Sequence, residues 1–275
     1  MNIVVAGMGP VGEACWTALN IAYGGSDKIN IYKDDPYKGF NYEPVEGIKV
    51  DAVVVCVATP QDPDTGRCVT QNVEDVFEKY KGAKFLIKST IDCLWLNEIA
   101  DQHRTFFRSS FTMSPEFLRG TTGADPIVDF LDQEFAIYGG DDCRFWDELF
   151  KPALEKLTEV RYISLEQATF AKYLENCFLA TKVTFFNEMF NVFNSLGFEG
   201  FDSMVDAITL DKRIGKSHTQ VPGPDGSFGW GGHCFPKDTS AMYTMSDGKA
   251  ELLGRVIDIN EKHRRRLVDR EFSDG

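Results

Sequence analysis

No stretch of these 275 residues is apolar for long enough to cross a bilayer. The amino terminus, MNIVVAG, enters a strand-like run at once, without the basic region, apolar stretch and small-residue cleavage site of a secretory signal. Cysteine pairing signals are missing as well. Cys15, Cys56, Cys68, Cys93, Cys143, Cys177 and Cys234 are odd in number, widely spaced and contain no CxxC. That argues against a disulfide framework and against a zinc site, so no metal is expected and a reducing cytoplasm fits. Positive charge is scarce: 29 Lys and Arg against 42 Asp and Glu give a net charge of −13. Such a surface repels nucleic acid and anionic membranes, so neither is expected as a partner, and an anionic ligand must be captured locally. The exception is the run Lys262, His263, Arg264, Arg265 and Arg266, which reads as the solvated face of a helix.

What is present supports a sizeable core. The length suits one large domain or two ordinary ones, and 43% of residues are hydrophobic. Asn2–Ala6 reads as a buried parallel strand. Gly7-Met8-Gly9-Pro10-Val11-Gly12 follows directly and opens a helical stretch. A GxGxxG between strand and helix is the pattern of a dinucleotide site. Gly7 makes the tight turn, Gly9 admits the pyrophosphate, and Gly12 lets helix pack on strand. Pro10 and Val11 lie in the same loop, and the helix N-terminus offers amides to the phosphates. After a second strand at residues 28–32, Asp34 or Asp35 is placed to bind the ribose hydroxyls, with Lys33 beside them. That arrangement favours NAD over NADP.

Further strands read at 52–57, 84–87, 106–112 and 135–138. They end in Ala58-Thr59-Pro60, Lys88-Ser89-Thr90, Ser114-Pro115-Glu116-Phe117-Leu118 and Gly139-Gly140. In a doubly wound parallel sheet these ends line one crevice at the carboxyl edge. Thr59, Thr90 and Glu116 are therefore candidate site residues. The pattern predicts a Rossmann-like α/β domain over 1–164, then a long helix and an all-helical domain over 165–275.

Ser164-Leu165-Glu166-Gln167 is a capping box, and apolar residues then recur at helical spacing to Val192, before Leu196-Gly197. About 32 residues make a helix of about 48 Å, long enough to join domains or build a dimer. Lys172 and Asn176 lie four apart on one face, where a lysine and an amide can hold and deprotonate an alcohol. Arg213 either forks onto phosphate or sugar oxygens or caps a helix. The segment GSFGWGGHCFPKD, residues 226–238, sets Cys234 on a glycine-rich turn beside Lys237 and Asp238. A thiol becomes a nucleophile where positive charge or a helix N-terminus stabilises its anion.

In order along the chain, GMGPVG, VATP, KST, SPEFLRG, KYLENCFLATKVTFFNE, DKRIG and GSFGWGGHCFPKD together resemble the UDP-glucose/GDP-mannose dehydrogenase family. The resemblance implies two successive NAD-dependent oxidations of the primary alcohol of a nucleotide sugar, UDP-glucose being favoured. It implies that Cys234 carries the thiohemiacetal and thioester. Lys172 and Asn176 would hold the reacting oxygen, and Asp238 would act on water or orient Lys172. Thr90 and Glu116 would position that water. Phe117, Leu118, Ser227, Phe228 and Gly231 would line the substrate, with Arg213 reaching the partner subunit's sugar in a dimer built on the long helix. The family's C-terminal nucleotide-binding domain has no counterpart before the chain stops, so a separate chain supplying it is a further expectation. Ala58 replaces a usual proline, and His218 stands where a tyrosine is frequent. Two alternatives stay open: a two-electron β-hydroxyacid-type dehydrogenase, and a non-catalytic or partner subunit.

Overall fold

The computed structural model describes the chain apart from residues 44–48, 119–124 and 272–275; side chains from 266 onward are also left undescribed. Arg119 and Gly120 of the expected substrate segment, and the Arg266 side chain, thus lie outside the described residues. Two compact units are formed: Met1–Asp62 with Cys68–Lys172, and Pro63–Arg67 with Tyr173–Gly275. The division falls inside the long helix, several residues past the expected boundary at 164.

Among the described residues of the first unit, seven strands form one sheet. They are β1 (Asn2–Ala6), β2 (Asn30–Asp34), β3 (Ala52–Val55), β4 (Lys84–Ile87), β5 (Ser110–Met113), β6 (Phe135–Gly140) and β7 (Glu159–Ile163), in the order β2-β1-β3-β4-β5-β6-β7. Helices α1 (Pro10–Tyr23), α2 (Gln71–Lys79), α3 (Cys93–Phe107), α4 (Pro126–Leu131) and α5 (Cys143–Phe150) connect them. This is a Rossmann-like α/β architecture. Strand periodicity explains the two faces. Ile3, Val5, Ala52 and Val54 pack with α1 and Trp146, while Val4, Ala6, Val53 and Val55 pack with Phe77, Phe85 and Phe111. Both faces are covered there, so β3 is apolar throughout and β1 is apolar from Ile3 on. Each fully buried Val or Ile contributes about 1.5–3 kcal/mol.

Four details differ from the sequence expectation. The second strand starts and ends two residues later, because Asp34 pairs with Ala6 and its carbonyl accepts from the Gly7 amide at 2.8 Å. Phe106 and Phe107 end α3 instead of opening the fifth strand. An edge strand, β7, extends the sheet. The sixth strand runs antiparallel to β5, with Met113 opposite Gly139 and Thr112 opposite Gly140. Gly139-Gly140 consequently does not end at the carboxyl edge shared by β3, β4 and β5. These glycines serve packing: a Cβ on Gly139 would lie 2.4 Å from that of Ala168.

The second unit is helical. The long helix α6 (Leu165–Ser195) begins in the first unit and continues into the second. Its capping box is formed on both sides: the Gln167 amide donates to Ser164 Oγ at 3.2 Å, and the Ser164 amide to Gln167 Oε1 at 3.0 Å. Next come α7 (Phe201–Ile208), α8 (Cys234–Met245) and α9 (Glu251–Glu271). Phe186, Phe201, Val205 and Val221 form one apolar cluster, and Ala180, Trp230 and Val256 another. No helix among the described residues is long and apolar enough to cross a membrane.

Candidate active site

Backbone crowding builds the glycine loop after β1. Gly7 turns at φ +88°, and a Cβ there would stand 2.7 Å from the Cys56 carbonyl carbon. A Cβ on Gly12 would stand 1.9 Å from the Gly7 oxygen. At Gly9, by contrast, a Cβ would meet nothing within 4 Å. Gly9 caps α1 with no side-chain cap bond, Pro10 opens the helix, and Val11 packs on the core. An open backbone at an uncapped helix N-terminus fits a pyrophosphate.

The acid beside this loop is Asp35, not Asp34. Successive side chains of a strand point to opposite faces. The Asp34 carboxylate is 6% exposed and accepts from Tyr80 Oη at 2.6 Å and Lys79 Nζ at 3.0 Å. Burial and that carboxylate raise the Tyr80 hydroxyl far above its usual pKa, keeping it a donor. Asp35 instead accepts from the Met8 amide at 2.8 Å, and Lys38 donates to the Met8 carbonyl. The two clamp the loop at one residue. Lys33 turns away, pairing with Glu13 at 3.2 Å and lying 4.0 Å over the Trp16 ring.

At the carboxyl edge, Thr59 Oγ1 donates to the Thr90 carbonyl at 2.7 Å, tying the end of β3 to that of β4. Lys88 Nζ reaches Ser114 Oγ at 2.9 Å, tying β4 to β5. Burial lowers the Lys88 pKa, and nearby Cys15, Cys56 and Glu116 oppose part of that shift. Glu116 folds back on its own segment, its Oε2 accepting from the Leu118 amide at 2.8 Å. Lys172 Nζ donates to the Glu116 carbonyl at 2.6 Å, lies 3.4 Å from Glu116 Oε1, and sits 5.5 Å from the centre of the Phe117 ring. Thr59, Thr90, Glu116, Phe117, Leu118 and Lys172 all belong to the first unit.

In the second unit, Asn176 Nδ2 donates to Asp238 Oδ2 at 2.5 Å, and Lys237 pairs with Asp238 Oδ1 at 2.5 Å. Asp238 is 1% exposed, and those two donors occupy its carboxylate oxygens. Cys234 is the exposed first residue of α8, one turn before Asp238. First-turn amides favour an anion at that place. On α6, Asn176 follows Lys172 by one turn. Burial pushes the neighbouring Cys177 thiol up to about 12, with Asp238 adding to the shift. Asp225 caps the turn at Ser227, its Oδ1 accepting from the Ser227 amide at 3.0 Å; Phe228 packs near Phe190, with 5.7 Å between ring centres. Arg213 is 90% exposed in its side chain and pairs with Asp211 within its own turn.

The chain is similar to known proteins. Residues 166–262 match the central-domain model of the UDP-glucose/GDP-mannose dehydrogenase family. A UDP-glucose 6-dehydrogenase from Haloferax volcanii is 31% identical over 165 residues, 57% of this chain and 36% of the relative. The TuaD UDP-glucose 6-dehydrogenase of Bacillus subtilis is 28% identical over 235 residues, 80% of this chain and 48% of the relative. The chain thus spans about half or less of these relatives' length. Among solved structures, a UDP-glucose dehydrogenase from Pyrobaculum islandicum superposes with a TM-score of 0.73 at 24% identity, over 95% of this chain and 68% of that one.

The matched span holds Lys172, Asn176, Arg213, Cys234 and Asp238, the residues singled out by motif. Two roles escaped the sequence reading. Lys88 reads as part of a turn, although a lysine ending an apolar strand signals a buried partner. His263 and Arg264 read as a solvated face. Yet His263 is buried and Arg264 Nη1 binds Asp225 at 2.7 Å, turning both toward the loop before Cys234.

Proposed function

We propose that this chain is an NAD-dependent dehydrogenase that oxidises the primary alcohol of a nucleotide sugar to the acid, UDP-glucose being the favoured substrate. The observation that carries this is Cys234 at the start of α8, one turn from an Asp238 held by Asn176 and Lys237, within the family's central domain.

Gly9, the N-terminus of α1 and Asp35 would hold the dinucleotide. NAD bound there would accept one hydride in each oxidation. Lys172 and Asn176 hold the alcohol oxygen, and Lys172 takes up or steadies the charge as its proton leaves. The Cys234 thiol adds to the aldehyde carbonyl, giving a thiohemiacetal whose oxidation leaves a thioester. Water then cleaves the thioester, releasing the carboxylate and returning the thiol. Asp238 receives the proton from water or keeps Lys172 oriented, and Glu116 with Thr90 positions that water. Phe117, Leu118, Ser227, Phe228 and Gly231 line the sugar nucleotide, and Arg213 reaches a second subunit's sugar. A single oxidation would leave the thiol without a task.

A homodimer built on α6 belongs to the same proposal. Phe170, Leu174, Phe178, Phe185 and Val192 are exposed along that helix at heptad-like intervals, and a second copy would cover them. Cytoplasmic residence completes it.

The test is to incubate the chain with NAD and UDP-glucose and count NADH. Two NADH per sugar are expected. One per sugar would identify a two-electron dehydrogenase, and none with either UDP-glucose or GDP-mannose would sink the proposal. Cys234→Ser should lower full turnover about a thousandfold or more while dinucleotide binding persists. Four-electron turnover at the unaltered rate in that variant would remove the thiol from the reaction.

A further inference from the structure

Four residues before Cys234 the backbone is gripped by a single side chain. The Trp230 amide donates to Asn260 Oδ1 at 2.7 Å, and Asn260 Nδ2 donates to the Trp230 carbonyl at 3.0 Å. One carboxamide thus takes both backbone groups of one residue, as a neighbouring strand would. The Gly229 amide donates to Asn187 Oδ1 at 2.8 Å, and Trp230 Nε1 to Thr184 Oγ1 at 2.9 Å. Asn260, Asn187 and Thr184 are all buried. Polar contacts in such surroundings are strong when satisfied and expensive to break.

The same face of α9 supplies more. Asn260, His263 and Arg264 stand at i, i+3 and i+4, hence side by side. A Cβ on Gly229 would lie 2.3 Å from Asn260 Oδ1 and 3.2 Å from the His263 Cβ, and one on Gly231 would lie 2.7 Å from Arg264 Nη2. Arg264 also holds Asp225 at 2.7 Å, so both ends of the stretch 225–231 are fastened to one helix. Gly232, at φ +77°, then turns the chain toward α8 and Cys234.

Stability alone does not account for Asn260. Leu253 and Val256, two turns and one turn earlier on the same stripe, are buried apolar residues. An apolar residue at 260 would continue the stripe and add core, as binary patterning favours. The asparagine exchanges that gain for control of one loop residue.

We infer that Asn260 is a positioning residue for Cys234: it acts through the Trp230 backbone, with Arg264 fixing the far end of the loop at Asp225. The inference rests on Cys234 being the reactive thiol. Its experiment therefore has a readout independent of turnover. In the full chain, the alkylation rate of Cys234 by iodoacetamide is followed by peptide mass mapping from neutral to alkaline pH. Melting temperature, kcat and KM for NAD are measured alongside. Variants are Asn260→Ala, Asn260→Asp, which keeps the acceptor for the Trp230 amide and loses the donor, and Arg264→Ala; Glu261→Ala is the exposed control.

Asn260→Ala should displace the pH profile of Cys234 alkylation and lower kcat about tenfold or more, with KM for NAD within about twofold. Asn260→Asp should fall between, and Arg264→Ala should move both readouts the same way by about threefold. An Asn260→Ala protein that melts lower yet alkylates and turns over like the unaltered chain overturns the inference, leaving a purely structural residue. Should Asn260→Ala fail to fold, Arg264→Ala decides, because it removes a partly exposed guanidinium and leaves the buried bonds intact. An unchanged profile and kcat there also overturn it. If the unaltered chain forms no NADH, the proposed function fails, while the alkylation profiles still judge the positioning role.

Discussion

Two glycine-rich loops carry the proposed chemistry, and they need their glycines for different reasons. In the loop at 7–12 the obstacles are backbone atoms: the Cys56 carbonyl and Val57 amide face Gly7, and the Gly7 oxygen faces Gly12. Those atoms directly follow β1 and β3, at the end of a buried, close-packed sheet, and cannot retreat without displacing strands. In the loop at 226–232 the obstacles are side chains, the Asn260 carboxamide at Gly229 and the Arg264 guanidinium at Gly231. Gly226 and Gly232 meet nothing at all and serve their positive φ, +75° and +77°. The first loop is rigid because of topology. The second is held by polar side chains projecting from helices. A loop of the first kind suits a ligand that is the same in every turnover. One of the second kind can be retuned by a single substitution on a neighbouring helix.

The largest break in this comparison should come from Gly12→Ala. With 1.9 Å to a main-chain oxygen, the sheet or α1 must shift, so the variant is expected to lose about 3 kcal/mol or more in urea titration. Quenching of tryptophan fluorescence by NAD should vanish with it. A near-neutral effect would refute the backbone account of this loop. Gly229→Ala comes next: a left-handed φ of +72° and the Asn260 contact together predict a loss of about 1–3 kcal/mol. Gly231→Ala should cost under about 1 kcal/mol, since the nearest atoms are the far end of a long, flexible side chain. If Gly231→Ala proves the worse of the two, the side chains in this loop are stiffer than their chemistry suggests.

The smallest effect concerns pH. Burial pushes the Asp225 carboxyl up, but the Arg264 bond, the Ser227 amide and the Arg264 charge outweigh it and hold the group below its usual value. A depressed carboxylate stabilises the fold above its unfolded pKa of about 4, and that contribution fades as pH falls through the lowered value. The pair is half exposed, so the expected size is under about 1 kcal/mol. Asp225→Asn should be less stable at neutral pH by that amount and should lose this part of the acid dependence. Urea midpoints recorded at neutral pH and at pH about 3 would check it.

Much of the first unit was legible because its signals are local. An apolar run, a GxGxxG and a helix start stand next to one another in sequence, and each constrains only its neighbours. The capping box at Ser164 is equally local and forms as written. The direction of β6 was not legible, because 135–138 carries the same apolar pattern whether it runs parallel or antiparallel. The choice between Asp34 and Asp35 was also hidden. It turns on β2 continuing through Asp34, paired with Ala6 of β1, which fixes the face of that carboxylate and leaves Asp35 to the loop. In the second unit, the motif around Cys234 could be read, whereas its support could not. Asn187, Asn260 and Arg264 are distant from it in sequence and each passes for an ordinary helix residue.

The sequence by itself determined most of the strands, the glycine loop and the long helix, together with the order of the motifs and the residue types of the proposed chemistry, since spacing, capping and glycine placement act over a few residues. Only the tertiary structure decided which acid meets the glycine loop, which lysine is buried behind the carboxyl edge, and which helix grips the turn before Cys234. Those outcomes depend on register and on side-chain direction between segments far apart in the chain, and side chains at successive positions point to opposite faces, so a shift that local propensity barely registers changes the partner entirely.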